Sequence, residues 1–544
     1  MSDRATRVGL ALSGGGFRAA AFHLGVLKRL EELDVLRQVE ALSTVSGGSI
    51  TGALYALRCS QTGGPAGSYT VDCLIDEMVP FLARNLRARA LFGTPTRALR
   101  ALWSVVSTKV SRIGLMVQEL DHQLFHGATL NQLPDWIVVN ATNLRTGKGW
   151  KFYSDRAGDY LAGATDKTSY IKVSEAVAAS AAYPGLTDSY AFETRWEDLR
   201  GDLLSEERWE RPAQDRPGKV SRWRERFGKA SGSVTFPLVD GGLYDNEGVN
   251  GLRGRRVTHA IISAVAPPES TSLSGFTPRR YIRIVEVIHD RLGAATRQLA
   301  HEMTHGMHPH DVRTAALEIS DELRRLVVAE ATAPEARDAL EAIAQRVAKL
   351  AAVGMPPRGH QFRASAQVLL HRTELAKNAY RETNQGGLDA PPECRGLSDA
   401  LVAELARVRT DLDALEEPII ELLMAQGYFL TDLYVKLAMP ELLANCGPVP
   451  AATAARSTSQ GWYTDPFKPS WQRACRAIAD AETNHEDSKR MLQAAAARRG
   501  ILGRVPNSRK RIIYFANLMV AAASALAAIG LAGWLLFAVT RCLS

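Results

Sequence analysis

Two hydrophobic rhythms alternate along the first half of this 544-residue chain. Residues 7–12 (RVGLAL) and 41–45 (ALSTV) are short, largely apolar runs, as expected of strands covered on both faces. Each leads into a glycine-bearing turn and then a helical period. Phe17–Leu33 carries Ala, Leu and Val on one face, and a second helix runs from the turn at Ser46–Gly47–Gly48 to about Leu57. Helical runs fill about 71–127. Residues 136–140 (WIVVN) and 149–153 (GWKFY) read as strands, and 174–182 as a small-residue helix stopped by Pro184–Gly185. The charged, Trp-rich stretch 193–229 reads as a surface insertion. Val234–Val239 and 257–263 (VTHAIIS) read as strands, and 281–288 (YIRIVEVI) as a strand or a helix start. Beyond that the pattern is mostly helical to about Leu437. A linker follows at 447–470, then a helix over about 471–497.

Strands alternating with helices predict an α/β fold with a central, mostly parallel sheet covered by helices on both faces. Three units are expected. Residues 5–437 form the main domain, with the 193–229 insertion and a helical extension over about 300–437. Residues 438–511 form a linker with one helix and a basic juxtamembrane segment. Residues 512–540 form a transmembrane helix. That last expectation rests on Leu518–Val539 (LMVAAASALAAIGLAGWLLFAV), which has no charge and is long enough to span a hydrocarbon core. Arg498, Arg499, Arg504, Arg509, Lys510 and Arg511 precede it and only Arg541 follows, so the positive-inside rule keeps the body of the protein in the cytoplasm as a single-pass, tail-anchored membrane protein.

Composition adds little. Hydrophobic residues make up 46% and charged residues 23%, ordinary for a globular protein, and the net charge of +8 is modest for this length. No basic stripe interleaved with aromatics points to nucleic acid. The six cysteines are scattered without a CxxC pair, which suits a reducing compartment, and no secretory signal opens the chain.

Three features sit at the carboxyl ends of expected strands, where α/β folds place their working sites. Ser13–Gly14–Gly15–Gly16–Phe17–Arg18 lets backbone N–H groups converge at a helix N-terminus, a place for an oxyanion or a phosphate. Thr44–Val45–Ser46–Gly47–Gly48 has the form of a nucleophile elbow, with Thr44 where the first glycine usually stands. Asp240–Gly241–Gly242 puts a carboxylate at a strand end, where a plain turn-forming aspartate is the competing reading.

In this order the three resemble the patatin-like phospholipase family. ALSGGGFRAAAFHLGVLKRL and LSTVSGGSITGALYA look like its opening motifs, and VNATNLRTGKGWKFYSD like its central strand pair. SEAVAASAAYPGL and FPLVDGGLYDNEGV resemble the segments before and around its catalytic aspartate. VRTDLDAL and LMAQGY resemble closing helices, so the likeness covers roughly residues 5–435. The resemblance implies a three-layer sandwich and a serine lipid acyl hydrolase of phospholipase A type. Ser46 would be the nucleophile and Asp240 its base. Gly14, Gly15, Gly16 and Gly47 would serve the oxyanion and substrate, and Arg18 would brace the loop or add positive charge. No metal or cofactor is implied. The implied partners are membrane phospholipids and the bilayer held by the C-terminal helix, with room for a regulatory partner or small-molecule activator. A membrane-degrading effector or signalling protein that needs such an activator is the alternative within the same chemistry.

One motif points elsewhere. His301-Glu302-Met303-Thr304-His305 has the spacing of a zinc metalloprotease helix, followed by His308 and His310. Pro309 cuts that helix short, and polar histidines at a helix end are the plainer reading.

Overall fold

The computed structural model describes residues 6–103, 111–184, 187–201, 203, 232–253, 255, 257–265, 364–370, 397–408, 412–439, 441–443, 471–496 and 512–524. The HEMTH motif at 301–305, the 281–288 run, most of the charged insertion and residues 525–540 lie outside them.

The strands are β1 (Val8–Leu12), β2 (Val39–Val45), β3 (Ile137–Asn143), β4 (Lys148–Phe152), β5 (Ala157–Asp159), β6 (Gly163–Thr165), β7 (Tyr190–Arg195), β8 (Ser233–Asp240), β9 (His259–Ala264) and β10 (Ala364–Leu369). The helices are α1 (Gly16–Glu32), α2 (Gly47–Gln61), α3 (Val71–Leu82), α4 (Leu86–Phe92), α5 (Pro95–Trp103), α6 (Arg112–Leu120) and α7 (Val173–Ser180). After β8 come α8 (Gly242–Asp245), α9 (Val249–Arg253), α10 (Asp399–Arg407), α11 (Glu417–Ala438), α12 (Gln472–Thr483) and α13 (His485–Ala496). Residues 512–524 are also helical.

One sheet holds the molecule together, in the order β10-β9-β1-β2-β3-β4-β5-β6. From β10 to β3 every pairing is parallel; from β3 outward they are antiparallel. The parallel strands are apolar because both faces are covered. All of β1 and β9 is buried, and six of the seven residues of β2. α1 packs along α11 on one face, while α9 covers β1 and β2 on the other. Under the antiparallel wing, Trp150 lies between Phe192 and Phe236 with ring centroids 5.0 and 5.1 Å away.

Three sequence expectations change. β10 lies in a region read as mostly helical, and it becomes a strand because β9 offers a parallel edge from His259 to Ala264. Residues 193–195, read as the start of a surface insertion, end the edge strand β7, in which only Phe192 is buried. The helix expected over 471–497 is two helices, broken at Thr483–His485. Among the described residues no helix is long and apolar enough to cross a membrane, and most of the expected span, from 525 onward, lies outside them. The described part of the expected span, 512–524, is helical and lies partly on the main domain. Tyr514 packs with Ala88 and Phe92, and the Asn517 amide donates to the Phe92 carbonyl at 2.9 Å.

Candidate active site

β3 explains how Ser46 and Asp240 meet. β2 pairs with its first half, ending at Val45 opposite Asn140, while β8 pairs with its second half, Asp240 standing opposite the next residue, Ala141. The two strands run in opposite directions along one edge of β3 and stop tip to tip. The residue after Val45 is Ser46, so nucleophile candidate and carboxylate become neighbours although 194 positions separate them in the sequence.

Ser46 occupies a strained turn, with φ 50° and ψ −116°. A side chain at positive φ is costly and persists where neighbours fix it. Ser180, the last residue of α7, supplies one such tie: its hydroxyl accepts the Ser46 N–H at 2.8 Å and donates to the Asn140 carbonyl at 2.6 Å. The backbone just beyond completes the link, since Gly241 N–H donates to Ser180 O and Asp240 N–H to Ala182 O. Thr44, where the elbow usually has glycine, turns its hydroxyl to the Val138 carbonyl at 3.2 Å.

Asp240 is 2% exposed and accepts hydrogen bonds from the Ser46 side chain and from Gly242 N–H, the latter at 2.8 Å. Burial raises its pKa to about 6, and those two hydrogen bonds hold it from rising further. The carboxylate is therefore ionised at neutral pH while remaining a much better proton acceptor than an exposed aspartate.

The N-termini of α1 and α2 converge on the same spot. A Cβ on Gly47 would overlap the Gly16 carbonyl oxygen, so only glycine allows this approach. The N–H groups of Gly15, Gly16 and Gly47 have no hydrogen-bond partner among the described residues, and two helix dipoles point their positive ends at the space before them. Gly14, expected as a further donor, gives its N–H to the Asn246 carbonyl at 3.0 Å and is not free. Arg18 is fully buried, and its guanidinium donates to the carbonyls of Ala406 and Val408 at the C-terminal end of α10.

His23 escaped the sequence reading. Burial lowers its pKa to about 4, so the ring is neutral. Nε2 lies 3.0 Å from the Ser13 carbonyl and must carry the proton, which leaves Nδ1 to accept from Ser263 Oγ at 2.8 Å. Ser13 O also takes the Gly48 N–H at 3.1 Å, so His23 helps lock the glycine loop to α2. Its signal in the sequence was slight, a lone histidine on the apolar face of α1. Ser180 sat within a small-residue helix with nothing to mark it. Among the described residues no group of three or more potential metal ligands occurs.

Residues 10–253 match the family model described as patatin-like phospholipase. No curated protein matches the chain. Among solved structures, human GIVD cytosolic phospholipase A2 aligns at 14% identity and a TM-score of 0.35, over 49% of this chain and 47% of that one. VipD from Legionella pneumophila aligns at 13% identity and a TM-score of 0.23, over 95% of this chain and 90% of that one. The chain thus spans less than half the length of the phospholipase A2 that it matches.

Proposed function

We propose, on the match of residues 10–253 to the patatin-like phospholipase model, that the protein is a serine lipid acyl hydrolase using a Ser46–Asp240 dyad on phospholipid esters. The observation that carries this reading is the Ser46–Asp240 hydrogen bond, formed by a carboxyl raised to about 6 beside the unpartnered N–H groups of Gly15, Gly16 and Gly47.

In the proposed reaction Ser46 Oγ attacks the ester carbonyl and its proton passes to Asp240. The carbonyl electron pair moves onto oxygen, facing the three N–H groups. Collapse of the tetrahedral species breaks the ester C–O bond, and the departing lysolipid or alcohol takes the proton back from Asp240. Water then repeats the sequence on the acyl-serine, giving a fatty acid and free Ser46.

A membrane location for the substrate is part of the proposal. It draws support from the uncharged run Leu518–Val539 and from the exposed Ile512, Ile513, Phe515, Met519 and Val520 at the start of that segment. In this arrangement the C-terminal segment anchors the protein and the acyl hydrolase domain faces the cytoplasm.

The test uses full-length protein on vesicles of defined phospholipids, with products identified by mass, and fluorophosphonate labelling of Ser46. Release of fatty acid and lysolipid by wild type but not by Ser46→Ala supports the proposal. Equal release by both, or release by neither, defeats it.

A further inference from the structure

One buried amide beside Ser46 has no hydrogen-bond partner among the described residues. Asn246 follows α8, six positions after Asp240, and is 3% exposed. Its main chain is held against the glycine loop, where its carbonyl takes the Gly14 N–H at 3.0 Å. Its side chain reaches the same place. Asn246 Oδ1 lies 2.5 Å from the point where a Cβ on Gly14 would stand, and Ser46 Cβ lies 3.3 Å from that point. The amide and the nucleophile candidate therefore flank the space left by one missing side chain. Oδ1 is buried and unpartnered, and no hydrogen bond engages the amide nitrogen either.

Burying an amide without partners is unfavourable, and an apolar residue would pack here at lower cost. An unpartnered amide is useful only to a group that arrives later. The two ends of an asparagine amide differ little in size, and rotation about the last torsion exchanges them. A donor can thus be turned toward Ser46 without moving the backbone.

We propose that the Asn246 side chain is an additional donor to the oxyanion formed when Ser46 attacks an ester, acting with the N–H groups of Gly15, Gly16 and Gly47. This rests on the acyl-hydrolase reading. Nothing is transferred to Asn246. As the carbonyl pair moves onto oxygen, the Nδ2–H bond to that oxygen strengthens, and it weakens again when the pair returns on collapse. Because the bond is strongest in the transition state, its loss lowers kcat more than it raises KM.

The experiment compares wild type, Asn246→Ala and Asn246→Asp, all full length, on a short-chain fluorogenic ester and on the matching thionoester, whose sulfur is a poor hydrogen-bond acceptor. The aspartate keeps the shape and removes the donor. The expected result is a fall in kcat of about 100-fold or more in both variants, with KM changed little, thermal midpoints close to wild type, and a smaller preference for the oxygen ester. If both variants keep kcat within threefold of wild type, the assignment is overturned. It is also overturned if the loss tracks a lowered thermal midpoint and the oxygen-to-sulfur preference stays as in wild type. A wild type that hydrolyses no ester and takes no fluorophosphonate label overturns the acyl-hydrolase reading and this assignment together.

Discussion

Gly25 of α1 lies against the Met424 carbonyl of α11 with no room for one added carbon. The two helices cross backbone to backbone, and Arg29 fastens them a turn further on, with Nε and Nη2 at 3.0 and 2.6 Å from Asp432 Oδ1. Helix propensity favours Gly25→Ala by about 1 kcal/mol. The overlap works against it, because a main-chain carbonyl cannot rotate away as a side chain can, and overpacking costs about 1–3 kcal/mol or more. Gly25→Ala is therefore expected to lower stability, read as an earlier denaturant midpoint with activity falling in step.

Asp240 links activity to pH. With its pKa near 6, the base is ionised above that value, so kcat/KM should climb through pH 6 and level off by pH 7 to 8. Its effect on stability has the opposite sign. A carboxyl raised from 3.8 to about 6 favours folding most below 3.8, and that contribution is lost as pH rises through 6. Two units correspond to about 3 kcal/mol at most. Asp240→Asn should abolish hydrolysis yet leave the protein as stable as wild type or more so at pH 8. Thermal midpoints at pH 8 and pH 5 check this, the advantage shrinking at the lower value.

His23 runs the other way. Its pKa falls from 6.5 to about 4 on folding, so its contribution is complete above 6.5 and disappears as pH drops through 4. Over that window it opposes Asp240 with a similar magnitude, about 3 kcal/mol at most. His23→Gln should lose stability at pH 7.5 through its broken bonds to Ser13 and Ser263, while the gap to wild type narrows toward pH 4.5. Midpoints measured across that range would expose a constant gap, which this account does not allow.

Ser180 tests how the elbow is held. Ser180→Ala leaves the Ser46 N–H without its partner at 2.8 Å, and an unsatisfied buried donor costs about 1–3 kcal/mol. Strain at φ 50° then has less to oppose it. A fall in kcat with KM nearly unchanged is expected, and Ser180→Thr should restore part of it; steady-state kinetics on both variants decide.

Legibility followed burial and length. β1 and β2 could be read because strands covered on both faces are apolar throughout. β5 and β6 have three residues each, too few to show a period. β10 (ASAQVL) has only two large apolar residues and depends on an edge formed by residues 105 positions earlier. The site was legible as three motifs in order, but not as a geometry. Nothing in the spacing of Ser46 and Asp240 says that β2 and β8 share one edge of β3. Gly14 and Arg18 illustrate the converse: they stand in the motif, yet their donors bind Asn246 and α10.

β10 and α11 extend the sheet and cover α1, yet they are made long after the strands that carry Ser46 and Asp240. At about 5–20 residues per second the ribosome needs roughly ten seconds or more to pass from the end of β9 to the end of α11. Throughout that interval the nascent chain already holds Ser46 and Asp240 but still exposes one strand edge and the face around Gly25. That interval is the time when a chaperone has most to cover and a stalled chain most to lose.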